Sequence, residues 1–250
     1  MEKVAAKSIG HISHLVINIT EPLSMNFDHI EMNSLNLYTG KNGTGKTFVL
    51  VNVFVLSYIM SAIVHAKLKG PQLNELAQFT FDKSFDNQNI DGIVGADWVS
   101  GAFLRVTLLG GKIHSVVYSG LEEITAAPPA TFMSAPMRTF NAIQMYLKLR
   151  KVYNIDGNHD ALMIKLLNDF KLYDVMYLEG LIHKLPKNIP DNILKTFKES
   201  YDVKDDLRTF EVDLEKCDFF VTIGDEKQPK YMSTYGSGHQ ALFNMFLGQI

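Results

Sequence analysis

Cysteine is nearly missing: Cys217 is the only one in 250 residues. An internal disulfide is therefore excluded, and the composition fits a reducing cytoplasm. Net charge is nearly missing too, at −3. No global field favours DNA, which still leaves room for a local basic patch. Met1 to Gly10 lacks an apolar core of signal-peptide length. Internal repeats and low-complexity tracts are absent, so solenoid and fibrous architectures are set aside. Asp, Glu, Lys and Arg are all absent from Phe48 to Ala66. That run is long enough for a bilayer. However, Asn52, Ser57, Tyr58, Ser61 and His65 interrupt it, and a core helix covered on all sides reads the same way. No membrane partner is expected.

What is present is core-forming material. Hydrophobic residues make up 46% against 20% charged, enough for one large domain or one domain with an insertion. The most specific feature is Gly40-Lys41-Asn42-Gly43-Thr44-Gly45-Lys46-Thr47, which fits the phosphate-binding pattern G-x-x-x-x-G-K-[ST]. Ser34 to Thr39 is strand-like before it, and Thr47 to Ala66 is helix-like after it, the setting the motif requires. The glycines let successive N–H groups turn inward toward an anion, and the helix start adds its own unpaired N–H groups and positive dipole end. In this reading Lys46 reaches the β- and γ-phosphates of ATP, and Thr47 offers its hydroxyl to Mg²⁺.

Along the chain, Ile9 to Ile19 alternates apolar and polar residues as a strand does. Thr20-Glu21-Pro22 breaks it, and Leu23 to Glu31 reads as the returning strand of a hairpin-like pair. Leu35 to Tyr38 is expected to be the strand entering the glycine loop. From Gly70 to Gly92 the periodicity fades, and a mobile surface excursion is expected. Trp98 to Leu109 and Lys112 to Tyr118 are β-rich runs split by Gly110-Gly111, a hairpin signal. Ala126 to Pro129 reads as a loop. Met137 to Arg150, Asp160 to Lys184 and Asp191 to Tyr201 carry helical periodicity, with Asp160 and Asp191 as N-caps. Phe210 to Leu214, Phe219 to Ile223 and Lys230 to Met232 return to strands, and Gln240 to Leu247 starts an apolar helix. The expected organisation is a P-loop lobe with a β region over residues 1–136, a helical insertion over 137–208, and return strands with a last helix over 209–250.

A second motif, Gly236-Ser237-Gly238-His239-Gln240, precedes that last helix. A hydroxyl and a glycine backbone at a helix start also face anions well, although an N-cap serine in a loop looks the same. Together the two motifs resemble the ABC-type ATPases, whose signature reads L-S-G-G-Q. Ser237, Gly238 and Gln240 match, Gly236 stands for the leucine, and His239 for the second glycine. The resemblance is closest to the SMC, RecF and OLD-like branch. The two strands before the loop, the wording of Tyr38 to Thr47, and Phe132-Met-Ser-Ala-Pro136-Met-Arg138 agree with it. The resemblance implies an α/β fold: a P-loop core of ABC-ATPase type with an antiparallel β region and a helical insertion. It also implies a nucleotide held between two subunits, Lys46 and Thr47 acting in cis and Ser237 and Gly238, with His239 as a further candidate, in trans. Partners would be a second copy or a related subunit, and a nucleic-acid or defence effector.

In such ATPases a Walker B strand follows the signature helix and carries an Asp for Mg²⁺ and a Glu that activates water. The 250 residues stop at Ile250 before one. Expectation is therefore divided among a truncated molecule, a second polypeptide that completes it, and a reduced, non-hydrolysing nucleotide-binding relative. A rival lies inside the chain: Phe219 to Gly224 leads to Asp225-Glu226, as a Walker B would, giving a self-sufficient NTPase. Gly224 interrupts that strand, Lys227-Gln228-Pro229 reads as a hairpin turn, and the order relative to Gly236–Gln240 is wrong for an ABC protein. Gly157-Asn158-His159-Asp160 matches the GNHD of metallophosphoesterases, but no Asp-x-His accompanies it, and Asp160 reads as an N-cap. The remaining histidines show no ligand spacing, and Lys148, Arg150 and Lys151 read as a solvated face.

Overall fold

The computed structural model describes residues 7–21, 24–33, 36, 38–39, 41, 44–86, 88–127, 144, 166–168, 170–176, 207–213, 216, 218–223, 228–236 and 240. The chain divides into two compact units, Met1–Thr131 and Phe132–Ile250.

Unit 1 is built on an antiparallel sheet. Its strands are β1 (Ile12–Glu21), β2 (Met25–Glu31), β3 (Asp91–Trp98), β4 (Phe103–Leu109) and β5 (Lys112–Ser119), in the order β2-β1-β3-β4-β5. Strict alternation selects one inner face, because successive side chains point to opposite sides of a strand. Leu15 and Ile17 of β1 lie opposite Ala96 and Val94 of β3, which lie opposite Leu104 and Val106 of β4. All six are buried. The turn between β4 and β5 is Gly110-Gly111, with φ of 56° and 71°. Two consecutive left-handed residues match the right-handed twist of the strands, as a type I′ turn does.

Two helices belong to this unit. Helix α1 is Lys46–Ala66 and α2 is Gly70–Phe85. At about 1.5 Å per residue, α1 spans roughly 31 Å. It is apolar and long enough to cross a membrane by length and composition. In this unit its large side chains are spent on packing: Phe48, Val51, Phe54, Val55, Leu56, Ile59, Met60 and Ile63 are buried. Each such side chain contributes about 1.5–3 kcal/mol of burial. Removing one, as in Leu56→Ala, costs about 2–5 kcal/mol. Helix α1 ends where Lys67 turns left-handed, and His65 in its last turn meets the Ala127 carbonyl at 3.0 Å. Phe48 of α1 contacts Phe85 of α2, with ring centroids 5.0 Å apart.

The segment 70–92 is not an excursion. Pro71 sits in the first turn of α2, where its missing N–H costs nothing. Leu73, Ala77, Phe81 and Phe85 form the buried stripe, and β3 has begun by Asp91. The run Trp98 to Leu109 is likewise not one strand. Trp98 ends β3, and a turn closed by Gly101 N–H donating to the Trp98 carbonyl leads into β4. From α2, Gln78 reaches the start of β5. Its Oε1 accepts from Ile113 N–H at 2.8 Å, and its Nε2 donates to the Gly111 carbonyl at 3.1 Å.

Unit 2 contains an antiparallel sheet of β6 (Leu207–Asp213), β7 (Asp218–Ile223) and β8 (Lys230–Tyr231), in that order. The third strand is shorter than its sequence suggests, because Met232–Thr234 forms a 3-10 turn. Tyr231 Oη donates to Asp213 Oδ2 at 2.7 Å, tying β8 across to β6. The expected helical insertion lies mostly outside the described residues; 166–168 and 172–176 are helical.

Candidate functional site

The glycine loop is described at Lys41 and from Thr44 onward; Gly40, Asn42 and Gly43 lie outside the described residues. Gly45 has φ 82° and ψ 7° and is the N-cap of α1. Its carbonyl accepts the first helical bond, from Val49 N–H at 3.0 Å. A side chain is strained at that φ, which is the reason glycine stands there. No side chain caps the helix start, and the first turn has no acidic residue. The positive end of the dipole is therefore left for an anion from elsewhere.

Lys46 folds back over the loop. Its ammonium donates to the Lys41 carbonyl at 2.6 Å and lies 3.4 Å from Thr44 Oγ1. Thr44 Oγ1 donates to the same carbonyl at 2.9 Å. The Lys41 carbonyl thus gathers the lysine and the threonine and closes the loop upon itself. Thr47 is exposed in the first turn, so its hydroxyl is open to a ligand.

Entry to the loop differs from expectation. Asn36 and Tyr38 are not in strand pairing, and Leu35 and Leu37 lie outside the described residues. The Asn36 side chain instead bonds back to Asn33, accepting from its N–H at 3.0 Å and donating to its carbonyl at 2.7 Å. Tyr38 Oη meets Met32 Sδ at 2.8 Å, and burial raises its phenol pKa above the ordinary value. Among the described residues every ladder is antiparallel, apart from a single parallel bridge between Ser8 and Ala126.

One neighbour of the loop escaped the sequence reading. Met25 of β2 packs its Cε against Gly45, so that a methyl group built on that glycine would collide with it. The alternation of β2 marked Met25 as one face of a strand; nothing in its spacing named Gly45 as its partner. A separate 270 Å³ cavity lies along α1, with Met32, Val53, Ser57, Met60 and Trp98 in its wall. Val53 is seven residues beyond Lys46, about 10 Å along the helix axis.

In unit 2, Ser237, Gly238 and His239 lie outside the described residues. Gly236 is exposed, and open space surrounds the position of a Cβ. Gln240 is buried. Its Nε2 donates to the Tyr235 carbonyl at 3.0 Å, its N–H donates to the Gly236 carbonyl at 3.2 Å, and its Oε1 has no partner. Gln240 thereby holds the 3-10 turn of its own unit. Asp225 and Glu226 also lie outside the described residues, as does Gly157–Asp160. The strand before Asp225, β7, sits between β6 and β8 and pairs antiparallel with both. Among the described residues no three His, Cys, Asp or Glu side chains gather as a metal site. Compared with known proteins, the chain matches no family model, no curated protein and no solved structure.

Proposed function

We propose that the chain is an ATP-binding head of ABC-ATPase type, close to the SMC, RecF and OLD-like branch, that works as a nucleotide-dependent switch in the cytoplasm. The observation that carries this reading is the closure of the loop. A left-handed Gly45 opens an uncapped helix, and the Lys46 ammonium is held over the Lys41 carbonyl at 2.6 Å. A triphosphate offers the lysine a better acceptor than a neutral carbonyl, because charge-assisted hydrogen bonds are about twice as strong. The helix N-terminus supplies N–H groups to the same anion.

The residues present suit a magnesium nucleotide. Lys46 would take phosphate charge, and the Thr47 hydroxyl, on an exposed residue, would hold Mg²⁺, which neutralises charge on the phosphates when bound. In this reading Ser237 and Gly238 of a second copy or a related subunit close over the γ-phosphate, while Gln240 braces the turn that presents them. In this reading hydrolysis occurs only if a Walker B strand is supplied. An Asp225/Glu226 site is the weaker reading, since β7 pairs antiparallel with both neighbours.

Titration of labelled ATP against wild type and Lys46→Ala tests the proposal. Loss of most of the affinity in the variant is expected. Equal affinities would reject the assignment.

A further inference from the structure

We propose that the 270 Å³ cavity along α1 is a second binding site, for a small uncharged aromatic molecule with a carboxamide or lactam edge. This inference does not rest on the nucleotide reading. Among the described residues, none of the Gly40–Thr47 loop lies in the cavity wall.

Regular elements frame the cavity. Ser57 and Met60 are three apart on α1 and so share a face of the helix. Trp98 ends β3, Met32 directly follows β2, and His11 directly precedes β1. The volume equals that of about nine waters at ~30 Å³ each, room for one ring and a polar substituent. Thioethers pack well against aromatic rings, and so does an indole. Met32, Met60 and Trp98 therefore suit a ring better than an aliphatic chain.

The polar groups of the wall define the rest of the ligand. Trp98 is only 4% exposed, and a buried tryptophan N–H normally finds an acceptor. Here the indole N–H has none among the described residues, and it is not sealed from open space. The cavity is the open space that Trp98 adjoins. Asn33 meets Asn36 through its backbone alone. Its carboxamide, like the Ser57 hydroxyl, makes no hydrogen bond among the described residues. A ligand carbonyl satisfies the indole N–H, and a ligand N–H satisfies Ser57 or Asn33. Among the described residues no Asp, Glu, Lys or Arg lines the cavity, and His11, an exposed residue, is its one titratable group. A charge carried inside would go unpaired, which is costly, so the ligand is uncharged.

Trp98 is the only tryptophan in the chain, so its fluorescence reports occupancy directly. The full chain is titrated with benzamide, with benzoate as the charged analogue and with cyclohexanecarboxamide as the non-aromatic one. Benzamide is expected to shift the Trp98 emission saturably, and each analogue to bind about tenfold more weakly or less. Ser57→Leu, which places a larger side chain in the cavity, is expected to abolish the benzamide response. Asn33→Ala, at an exposed position, is expected to weaken benzamide roughly two- to tenfold, the range for one hydrogen bond. Circular dichroism checks the fold of each variant; if Ser57→Leu does not fold, Asn33→Ala decides. No saturable response to benzamide, or an equal response in the folded variants, overturns the site. Equal binding of benzoate or of cyclohexanecarboxamide overturns the ligand class.

Discussion

Arg105 and Asp97 meet at 2.7 Å across the outer face of the sheet of unit 1, and the arginine reaches the aspartate by lying over Gly95. Gly95 pairs directly with Arg105 in the β3–β4 register. The guanidinium also donates to the Ala96 and Leu104 carbonyls, each at 3.0 Å. The glycine is thus a slot in the sheet surface, and one side chain fills it.

Gly95→Ala closes that slot. The added Cβ would stand 2.6 Å from the Leu104 carbonyl and would also strike the arginine stem. Overpacking of this kind costs about 1–3 kcal/mol. A lower urea midpoint with an unchanged m-value is the expected result. The double variant with Arg105→Ala should recover part of the loss, leaving the backbone contact as the remainder.

Gly45→Ala is expected to fail for two separable reasons. At φ 82° a side chain costs about 1–2 kcal/mol, and the new methyl must displace Met25. Stability should fall and ATP affinity with it. Adding Met25→Ala removes the collision but not the backbone strain, so only part of the stability should return. Urea unfolding reads the first effect and nucleotide titration the second.

Turnover separates the two sources of a Walker B. The chain of 250 residues with Mg·ATP should release phosphate at background rate, and Asp225→Asn or Glu226→Gln should not change that rate. Without a water-activating carboxylate, phosphoryl transfer keeps positioning but loses most of its remaining stabilisation. Robust phosphate release abolished by either substitution would instead establish the self-sufficient enzyme.

Tyr38 links the lead-in of the loop to alkaline stability. Burial raises its phenol pKa above 10.0 in the folded chain. Its protonated form is therefore favoured by folding. The contribution is fully present below the unfolded value near pH 10 and is lost as pH rises through the folded value. Melting temperatures between pH 9 and pH 11 should fall more steeply for wild type than for Tyr38→Phe. Parallel slopes would remove this role from the phenol.

Much of unit 1 was legible because its strands obey the simplest rule. Ile17 and Ile19 alternate with Asn18 and Thr20, Val16 beside Leu15 being the one apolar intruder, and Gly110-Gly111 has one economical use between two β runs. Helix α2 was hidden for a physical reason. Its buried stripe includes Ala77, Thr80 and Ser84, small or polar residues that dilute helical periodicity, and Pro71 looks like a loop marker although it suits a helix start. The helix that follows the glycines was legible, since a long apolar run leads out of them and α1 begins at Lys46; the phosphate role of Lys46 and Thr47 belongs to the proposal. The approach of Met25 to Gly45 was not legible, because it depends on how β2 packs against the head of α1, and no local pattern encodes that contact. The short β8 yields to a 3-10 turn because Thr234 Oγ1 binds the Tyr231 carbonyl at 2.6 Å, a local bond that competes with further strand pairing.

The contact of Gln78 with the opening of β5 bears on how this molecule behaves in company. An outer strand with idle amide and carbonyl groups is an invitation to any extended chain nearby. Here a carboxamide from α2 occupies both the Ile113 amide and the Gly111 carbonyl, the points from which a foreign strand would begin to zip. A crowded cell therefore finds that corner of the sheet already spoken for, and runaway strand-to-strand growth has no foothold at the β4–β5 turn.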